Sequence, residues 1–284
     1  MQWIPSVLGK IRRACFGREI ASTFDTYNSE ASEIITPQTC SGVKTEVTKT
    51  LAPFFQVSRV DILDGNAHVS QTFGTLSLGN SLVQISVDHE NSLRLKAMNM
   101  SGNLATRVHT IITGRKEVFS QVELEMRSRV NNLGLKLISP AIKGTGMVYV
   151  ANTLQQFGTL SLGAEIIGAD SEFGISVCGR YEHSSGIFSV GLQQFTALTL
   201  NYYRRLGKFF DMGAEVQLPR TCPPSAAIGC RLSTPKAQAK ASVSSNMSLS
   251  FCLAEKLTEG LSFNINAEVN KSGCTHGFGF LLEF

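Results

Sequence analysis

The sequence lacks any long hydrophobic run. Its strongest apolar stretches, such as residues 164–167 and 279–282, are far shorter than the roughly 20 apolar residues that a membrane-spanning helix requires. Charged residues are also scarce, at 17% of the chain against 43% hydrophobic residues. A helical membrane protein is therefore excluded, whereas a soluble domain or a β-barrel with one apolar wall fits the composition.

Motifs for catalysis, metal binding and nucleic-acid binding are also missing. The seven cysteines are scattered without a Cys-x-x-Cys pair, and the five histidines share no common spacing. Neither a Gly-x-Ser-x-Gly motif nor a phosphate-binding glycine-rich loop is present. The net charge of +4 is not concentrated in a dense Lys/Arg run. We therefore expect no enzymatic activity, no cofactor, no metal ion and no nucleic-acid partner.

The first 24 residues mix basic and apolar side chains. The basic residues are Lys10, Arg12, Arg13 and Arg18. A cleaved matrix-targeting peptide has a similar composition, so a transit peptide is one interpretation. Pro5 and Glu19 argue against it.

A separate short helix is predicted to follow this segment. Ser22 or Thr23 can cap it, Asp25 lies in the first turn, where the helix dipole favours a carboxylate, and Pro37 ends it. The apolar residues at near-helical spacing are Phe24, Tyr27, Ala31, Ile34 and Ile35. Such a helix needs a surface to lie against, and the interior of a barrel is one candidate.

From Gly42 onward, apolar and polar residues alternate, as in strands with one dry and one wet face. The clearest case is residues 121–130. One face there carries Val122, Leu124, Met126 and Val130, and the other carries Gln121, Glu123, Glu125, Arg127 and Arg129. The same alternation recurs at residues 93–97, 160–166, 211–218, 236–243, 247–253 and 261–269.

Turn signals separate the alternating segments. They lie at residues 64–66, 131–132, 184–186, 206–208, 223–224 and 258–260. About nineteen strands result, each of the length that crosses a bilayer at a tilt. A soluble propeller would show a period near forty residues, and none is present. We predict an all-β fold, a transmembrane antiparallel β-barrel over residues 42–284, preceded by a basic segment and a lumenal helix over residues 1–41.

Charged rows of the alternating strands are predicted to line the barrel interior, because the outer face must match lipid acyl chains. They comprise Arg94, Lys96, Glu123, Glu125, Arg127, Arg129, Glu165, Arg180, Asp211, Glu215, Lys236, Lys240 and Glu268. A tube with this lining is a path for something polar.

Several segments resemble one known family. Residues 42–58 resemble the first two strands of the channel-forming subunit of the mitochondrial outer-membrane protein translocase, a member of the mitochondrial porin superfamily. Residues 200–215 are similar to a later strand pair of that family, residues 233–279 to its C-terminal strands, and residues 23–25 to the start of its short helix. Each motif alone is loose, but their order and spacing are specific.

The resemblance implies a nineteen-stranded barrel closed by parallel pairing of the first and last strands. The helix would lie in the lumen, and the basic leader would reach the intermembrane space. The implied cargo is precursor polypeptides with basic presequences, whose expected contacts are Glu123, Glu125, Glu165, Asp211 and Glu215. Apolar residues of the lumen or the helix would contact hydrophobic stretches of the cargo. The implied partners are receptor subunits, small single-helix subunits, membrane lipid and a second copy of the barrel.

The last strand carries a further pattern. Thr275, Gly277, Phe280 and Leu282 resemble the sorting signal by which mitochondrial barrels are recognised for insertion. Alternation also predicts a lipid-facing row that includes Phe280 and Leu282. The two roles are compatible.

Protein import has two rival functions. A metabolite porin of the voltage-dependent anion channel type would share the fold and the membrane, but it is expected to have a predominantly basic lumen and no long leader. An enzyme is disfavoured because no catalytic motif is present.

Overall fold

A closed ring of nineteen β-strands forms the body of the molecule in the computed structural model. The structure describes residues 23–37, 39–65, 67–114, 117–128, 130–140, 146–169, 172–271 and 273–284. The strands are β1 (Gly42–Ala52), β2 (Phe55–Asp64), β3 (Ala67–Leu78), β4 (Ser81–Asp88), β5 (Leu93–Ser101), β6 (Leu104–Ile112), β7 (Val118–Arg127), β8 (Asn131–Ser139), β9 (Val148–Phe157), β10 (Leu160–Ala169), β11 (Glu172–His183), β12 (Gly186–Gln193), β13 (Ala197–Arg205), β14 (Phe210–Pro219), β15 (Ser225–Ser233), β16 (Ala237–Ser244), β17 (Leu249–Lys256), β18 (Leu261–Asn270) and β19 (Gly273–Glu283). The predicted nineteen-stranded, all-β barrel is confirmed.

The ring closes through one parallel pair. Every strand is antiparallel to its neighbour along the chain, and β1 pairs with β19 in parallel, from Gly42 opposite Gly277 to Thr48 opposite Glu283. An odd number of alternating strands leaves the first and last pointing the same way, so closure has to be parallel. Closure satisfies the backbone groups of both edges, which lipid could not do.

Two rims follow from this topology. We call the end at which β1 begins the first rim and the opposite end the second rim. Odd-numbered strands run from the first rim to the second. The chain ends at the second rim, where the backbone N–H of Phe284 donates to the carbonyl of Thr48 over 2.9 Å.

Alternation divides each strand between an outer wall and a lumen. On β7, Val122, Leu124 and Met126 are exposed on the outer wall, while Glu125 points inward and is buried. Directly opposed residues of neighbouring strands share a face, so the pairing register carries this division from strand to strand around the ring. The predicted apolar outer and polar inner faces are confirmed for β7.

The helical segment before β1 is split into two short pieces. A 3₁₀ helix covers Phe24–Thr26, with Thr23 at its N-cap, and helix α1 covers Ser29–Ile35. The predicted short helix is therefore present between Thr23 and Pro37, but a turn at Tyr27 and Asn28 divides it into these two pieces. Neither helical piece, nor any other helix within the described ranges, is long and apolar enough to cross a bilayer.

Some predicted boundaries need correction. Strand β7 ends at Arg127, so Val130 lies in a turn, and the predicted turn at residues 131–132 is instead the start of β8. Lys236 lies in the β15–β16 turn and not on the lumenal wall. Met247 lies in the β16–β17 turn with a φ of 59°. The prediction placed these residues in strands because it relied on the alternation of apolar residues, which continues into the turns. The basic leader, Ser22 and Arg129 lie outside the described residues.

Candidate functional site

The helical segment lies inside the barrel, against its inner wall. Helix α1 packs on β13–β16, and the 3₁₀ helix touches β9 and β10. Tyr27, Ala31 and Ile34 are buried in this contact, and Ile34 retains no exposed surface. The apolar face predicted from the sequence therefore packs on the wall, with Ile35 half-buried at its edge. The predicted lumenal position of the helix is confirmed.

Inward-facing glycines make room for this helix. They are Gly191, Gly213 and Gly229, on β12, β14 and β15. A Cβ added at Gly213 would lie 3.1 Å from the carbonyl oxygen of Ala31, and one at Gly229 would lie 3.1 Å from that of Ile34. Gly213 and Gly229 are also directly opposed across β14 and β15. The helix can approach the wall this closely because these positions carry no side chain.

Arg180 on β11 connects the wall to the helical segment. Its guanidinium donates two hydrogen bonds of 2.7 Å to the carboxylate of Glu30 and one of 2.8 Å to the carbonyl of Tyr27. A fourth hydrogen bond, of 2.8 Å, goes to Glu182 on the same strand. Burial disfavours the charged form of Glu30, but the hydrogen bonds from Arg180 outweigh it and lower the pKa of that carboxyl below its ordinary value.

The remaining acidic residues of the segment are also paired with the wall. Lys136 on β8 donates to Asp25 over 2.5 Å. Lys240 on β16 donates to Glu33 over 3.1 Å, and Arg231 on β15 approaches the same carboxylate at 3.5 Å. Every charged side chain in residues 23–37 is acidic. The segment therefore neutralises basic residues of the wall on four separate strands.

Two of the five predicted cargo contacts, Glu123 and Glu125, lie side by side on β7. Arg107 donates to Glu123 over 3.1 Å and to Glu125 over 3.0 Å. Glu125 also accepts hydrogen bonds from Arg127 and Asn132. Both carboxylates face the lumen as predicted, but neighbouring arginines hold them within a network of the wall.

Asp211 on β14 is likewise held by arginines. Arg231 donates to it over 2.6 Å and 3.0 Å, and Arg205 donates over 3.4 Å. Its side chain is only 5% exposed. Asp211 is therefore part of the structural network that also reaches Glu33 through Arg231.

The other two predicted contacts, Glu165 and Glu215, line cavities beside the helical segment. Glu165 on β10 faces a cavity of about 350 Å³ that Phe24 and Tyr27 also line. Glu215 on β14 faces a cavity of about 250 Å³ that Asn28 and other polar residues line. Burial, with the nearby groups of Cys178 and Glu215, raises the pKa of Tyr27 to about 12, so the phenol that lines the cavity beside Glu165 stays neutral.

An apolar strip on the inner wall was not identified residue by residue from the sequence. It comprises Ile111, Phe119, Ile138, Val148 and Ile167, which point inward near the first rim of β6–β10. Ile111 opposes Phe119, and Ile138 opposes Val148. The sequence carries a signal for it: paired apolar residues at 111–112, 118–119, 137–138 and 166–167, which make both faces of a strand apolar.

The predicted sorting-signal residues divide between the two faces of β19. Gly277 faces the lumen, where an added Cβ would collide with the carbonyl oxygen of Cys40. The linker before β1 is fixed at this point, because the N–H of Cys40 donates to Asn266 over 3.1 Å. Phe280 and Leu282 lie on the outer side, opposite Phe263 and Leu261 of β18. The glycine thus lies where the linker crosses the last strand.

Across the described ranges, no group of three His, Cys, Asp or Glu side chains is placed to hold a metal ion. The inner wall carries charged, polar and apolar side chains.

Comparisons with known proteins agree with this architecture. The model of the eukaryotic porin family matches residues 20–279. A protein from Xenopus laevis named "Mitochondrial import receptor subunit TOM40 homolog" is 28% identical over 92% of this chain and 83% of its own length. A protein of the same name from Homo sapiens is 27% identical over 92% of this chain and 77% of its own length.

A relative of lower sequence identity and a solved structure are also similar to this chain. A protein from Arabidopsis thaliana named "Probable mitochondrial import receptor subunit TOM40-2" is 24% identical over 90% of this chain and 88% of its own length. A Rhodopseudomonas blastica porin variant is 9% identical with a TM-score of 0.43, covering 78% of this chain and 88% of its own, a likeness too loose to support an inference.

The eukaryotic porin family model covers most of the chain. The closed barrel is the fold expected of a porin. The resemblance predicted from the sequence is confirmed. The chain belongs to the eukaryotic porin family, as a TOM40-like β-barrel channel of the mitochondrial outer membrane.

Proposed function

We propose that the barrel conducts precursor polypeptides with basic presequences across the mitochondrial outer membrane. The named relatives are import receptor subunits, and the lumen has surfaces suited to a polypeptide. A presequence is basic on one face and apolar on the other. A channel that passes it needs both carboxylates and apolar surface within reach of the moving chain.

The observation that carries this proposal is the apolar strip beside a wall of mixed charge. An anion-selective metabolite porin gains nothing from half-buried residues such as Ile111, Phe119 and Ile138 in its lumen, because its cargo is small and hydrated. A polypeptide with hydrophobic stretches can transiently dehydrate against such a surface. The acidic helical segment also reduces the positive charge that an anion pore would present.

Glu165 and Glu215 are the carboxylates that we assign as first contacts of a presequence. Among the described residues, no arginine donates a hydrogen bond to either, whereas Glu123, Glu125 and Asp211 are held by arginines. Those three would act as secondary contacts, reached only when the arginines exchange partners.

Other parts of the chain have proposed roles in the same process. Residues 1–41 would supply a leader toward the intermembrane space and the lumenal helix, which puts the first rim on that side. Thr275, Gly277, Phe280 and Leu282 would serve as the sorting signal. Receptor subunits, small single-helix subunits and a second barrel would assemble on the outer wall, in contact with membrane lipid.

Single-channel recording in planar bilayers tests the proposal. A synthetic basic presequence peptide should block the current, and the double variant Glu165→Gln/Glu215→Gln should weaken the block about threefold to tenfold, since exposed ion pairs contribute up to ~1 kcal/mol each. Glu255→Gln, on the outer wall near the second rim, is the matched control. Strong anion selectivity without block by the peptide would identify a metabolite porin instead.

A further inference from the structure

An ion pair of acidic and basic side chains lies on the outer wall at mid-depth, on β2. On β1–β3 the outward-facing positions include Thr45, Lys49, Arg59, Asp61, His68, Ser70 and Thr72, which we call the outer polar patch. Among the described residues of β4–β19, the Asp, Glu, Lys and Arg side chains on the outer wall are Arg204 and Glu255, each next to the last residue of its strand, and the histidines there are His183 and His276. The patch is thus unlike the rest of the lipid-facing surface.

Pairing register makes the patch continuous. Asp61 lies between Thr45 of β1 and Ser70 of β3, and Arg59 is opposite Thr72 of β3. Arg59 and Asp61 form an ion pair with N–O distances of 2.9 Å and 3.1 Å. The patch therefore spans three neighbouring strands and does not consist of isolated residues.

Arg59 lies deep in the wall. It is the fifth of ten residues in β2, near the middle of the strand, and its side chain is 59% exposed. An arginine that faces lipid at mid-depth destabilises a barrel, because hydrocarbon does not solvate its charge. Asp61 neutralises part of that charge, but hydrocarbon leaves the other donors of Arg59 and the nearby hydroxyls without partners. A protein surface that supplies polar groups at this depth would satisfy them.

We propose that the outer polar patch docks a transmembrane helix of a partner protein that carries a carboxylate near its midpoint. Lys49 and Arg59 against Asp61 leave one positive charge in excess, which a single carboxylate complements. The carboxylate would accept hydrogen bonds from Arg59, and Thr45, Ser70 and Thr72 would bond polar groups of the helix. The inference rests on the proposed function only for the expectation that single-helix subunits are partners.

A second copy of this chain fits the patch poorly. Two copies inserted the same way are related by an axis along the membrane normal, so each residue meets residues at its own depth. Arg59 would face Arg59 of the other copy, and Lys49 would face Lys49. Repulsion between like charges in a low-dielectric setting opposes this arrangement. A lipid headgroup is also a poor match, because Arg59 lies near the middle of its strand.

A designed probe tests the proposal without any import assay. The probe is a 21-residue Leu/Ala helix with Glu at its centre and photo-leucine beside it, reconstituted with the full-length barrel in neutral phosphatidylcholine vesicles. Helices with Gln or Lys in place of Glu are the comparisons. After illumination, mass spectrometry should map adducts to β1–β3, about fivefold to tenfold more with Glu than with Lys, the ratio expected for one polar contact in a membrane.

Variants of the barrel separate the possible outcomes. Arg59→Leu/Asp61→Leu removes the ion pair without leaving a lone charge and should abolish the preference for Glu, while Arg204→Leu should leave it unchanged. Four outcomes would each overturn the proposal. The adducts could spread around the barrel, or the preference for Glu could survive the double variant. Barrel-to-barrel adducts could form through β1–β3, or the preference could be lost when anionic lipid is added. Presequence block measured on the same preparation reports separately on the proposed import function.

Discussion

Arg180 on the barrel wall and Glu30 on the lumenal helix form a bidentate ion pair, with both N–O distances at 2.7 Å. The two residues are 150 positions apart in the chain. Because the arginine side chain is buried and also holds the carbonyl of Tyr27, the pair fixes both the position and the direction of the helical segment.

Replacing Arg180 should loosen the helix without opening the barrel. Arg180→Leu removes three contacts with the segment, and we expect its docking to weaken by about 1–2 kcal/mol. The value is reduced because Glu30 remains 35% exposed. Hydrogen exchange in lipid nanodiscs should then show faster exchange in residues 23–37 and unchanged exchange in β13–β16. Arg204→Leu on the outer wall is the control, and equal protection of the segment in both variants would contradict the assignment.

Docking of the helix should depend on acid pH through Glu30. The pKa of this carboxyl is lower in the folded state than its ordinary value of 4.5. A group with a lowered folded-state pKa contributes stability that is complete above the ordinary value and is lost as the pH falls through the folded value. Exchange of residues 23–37, measured from pH 7 down to pH 3 and corrected for intrinsic rates, should rise below about pH 4.5. Glu30→Gln should show a flatter profile, and identical profiles would rule Glu30 out.

A methyl group added at one of the inward-facing glycines beside α1 should displace the helix by steric exclusion. Gly213→Ala would place a Cβ 3.1 Å from the carbonyl oxygen of Ala31, an overpacking that we expect to weaken docking by about 1–3 kcal/mol. Gly179→Ala is a matched control, because its Cβ would meet only Leu162 at 3.7 Å. Single-channel conductance should increase in Gly213→Ala alone. Unchanged conductance, together with full hydrogen-exchange protection of α1, would show that position 213 tolerates a methyl group.

Gly277→Ala should disturb barrel closure even without the cellular insertion machinery. The added Cβ would collide with the carbonyl oxygen of Cys40, which the bond from Cys40 to Asn266 holds in place. We expect a smaller refolded fraction and a lower midpoint of unfolding in detergent, equivalent to about 1–3 kcal/mol. Gly168→Ala, whose Cβ would meet open space, is the control. Normal refolding would restrict the role of Gly277 to recognition during sorting.

Alternation predicted most of the fold, and its errors have a common cause. Val130 and Met247 extended the apolar rows, but both lie in turns, because hydrophobicity reports which face a residue prefers and not where backbone pairing stops. The helix was predicted from its apolar spacing, which does not reveal the turn at Tyr27 and Asn28 that divides it. At residues 111–112 and 137–138, consecutive apolar residues make both faces of the strand apolar. Simple alternation fails there, and the inward-facing residue of each pair belongs to the apolar strip.

The candidate site was predictable in its composition but not in its pairings. Glu123, Glu125 and Asp211 face the lumen as expected, yet arginines of neighbouring strands hold them. Glu165 and Glu215 look no different in the sequence, but they line cavities beside the helix. Whether a carboxylate remains available to bind cargo depends on whether a neighbouring strand places an arginine next to it.

The sequence by itself determined that strands with one wet and one dry face would make up this protein, because side chains alternate every two residues whatever the strand's neighbours are. The tertiary structure alone decided which side chains meet across the lumen and along the outer wall. Arg180 meets Glu30, Gly213 meets Ala31, and the linker at Cys40 meets Gly277, because ring closure brings together residues that no local pattern relates.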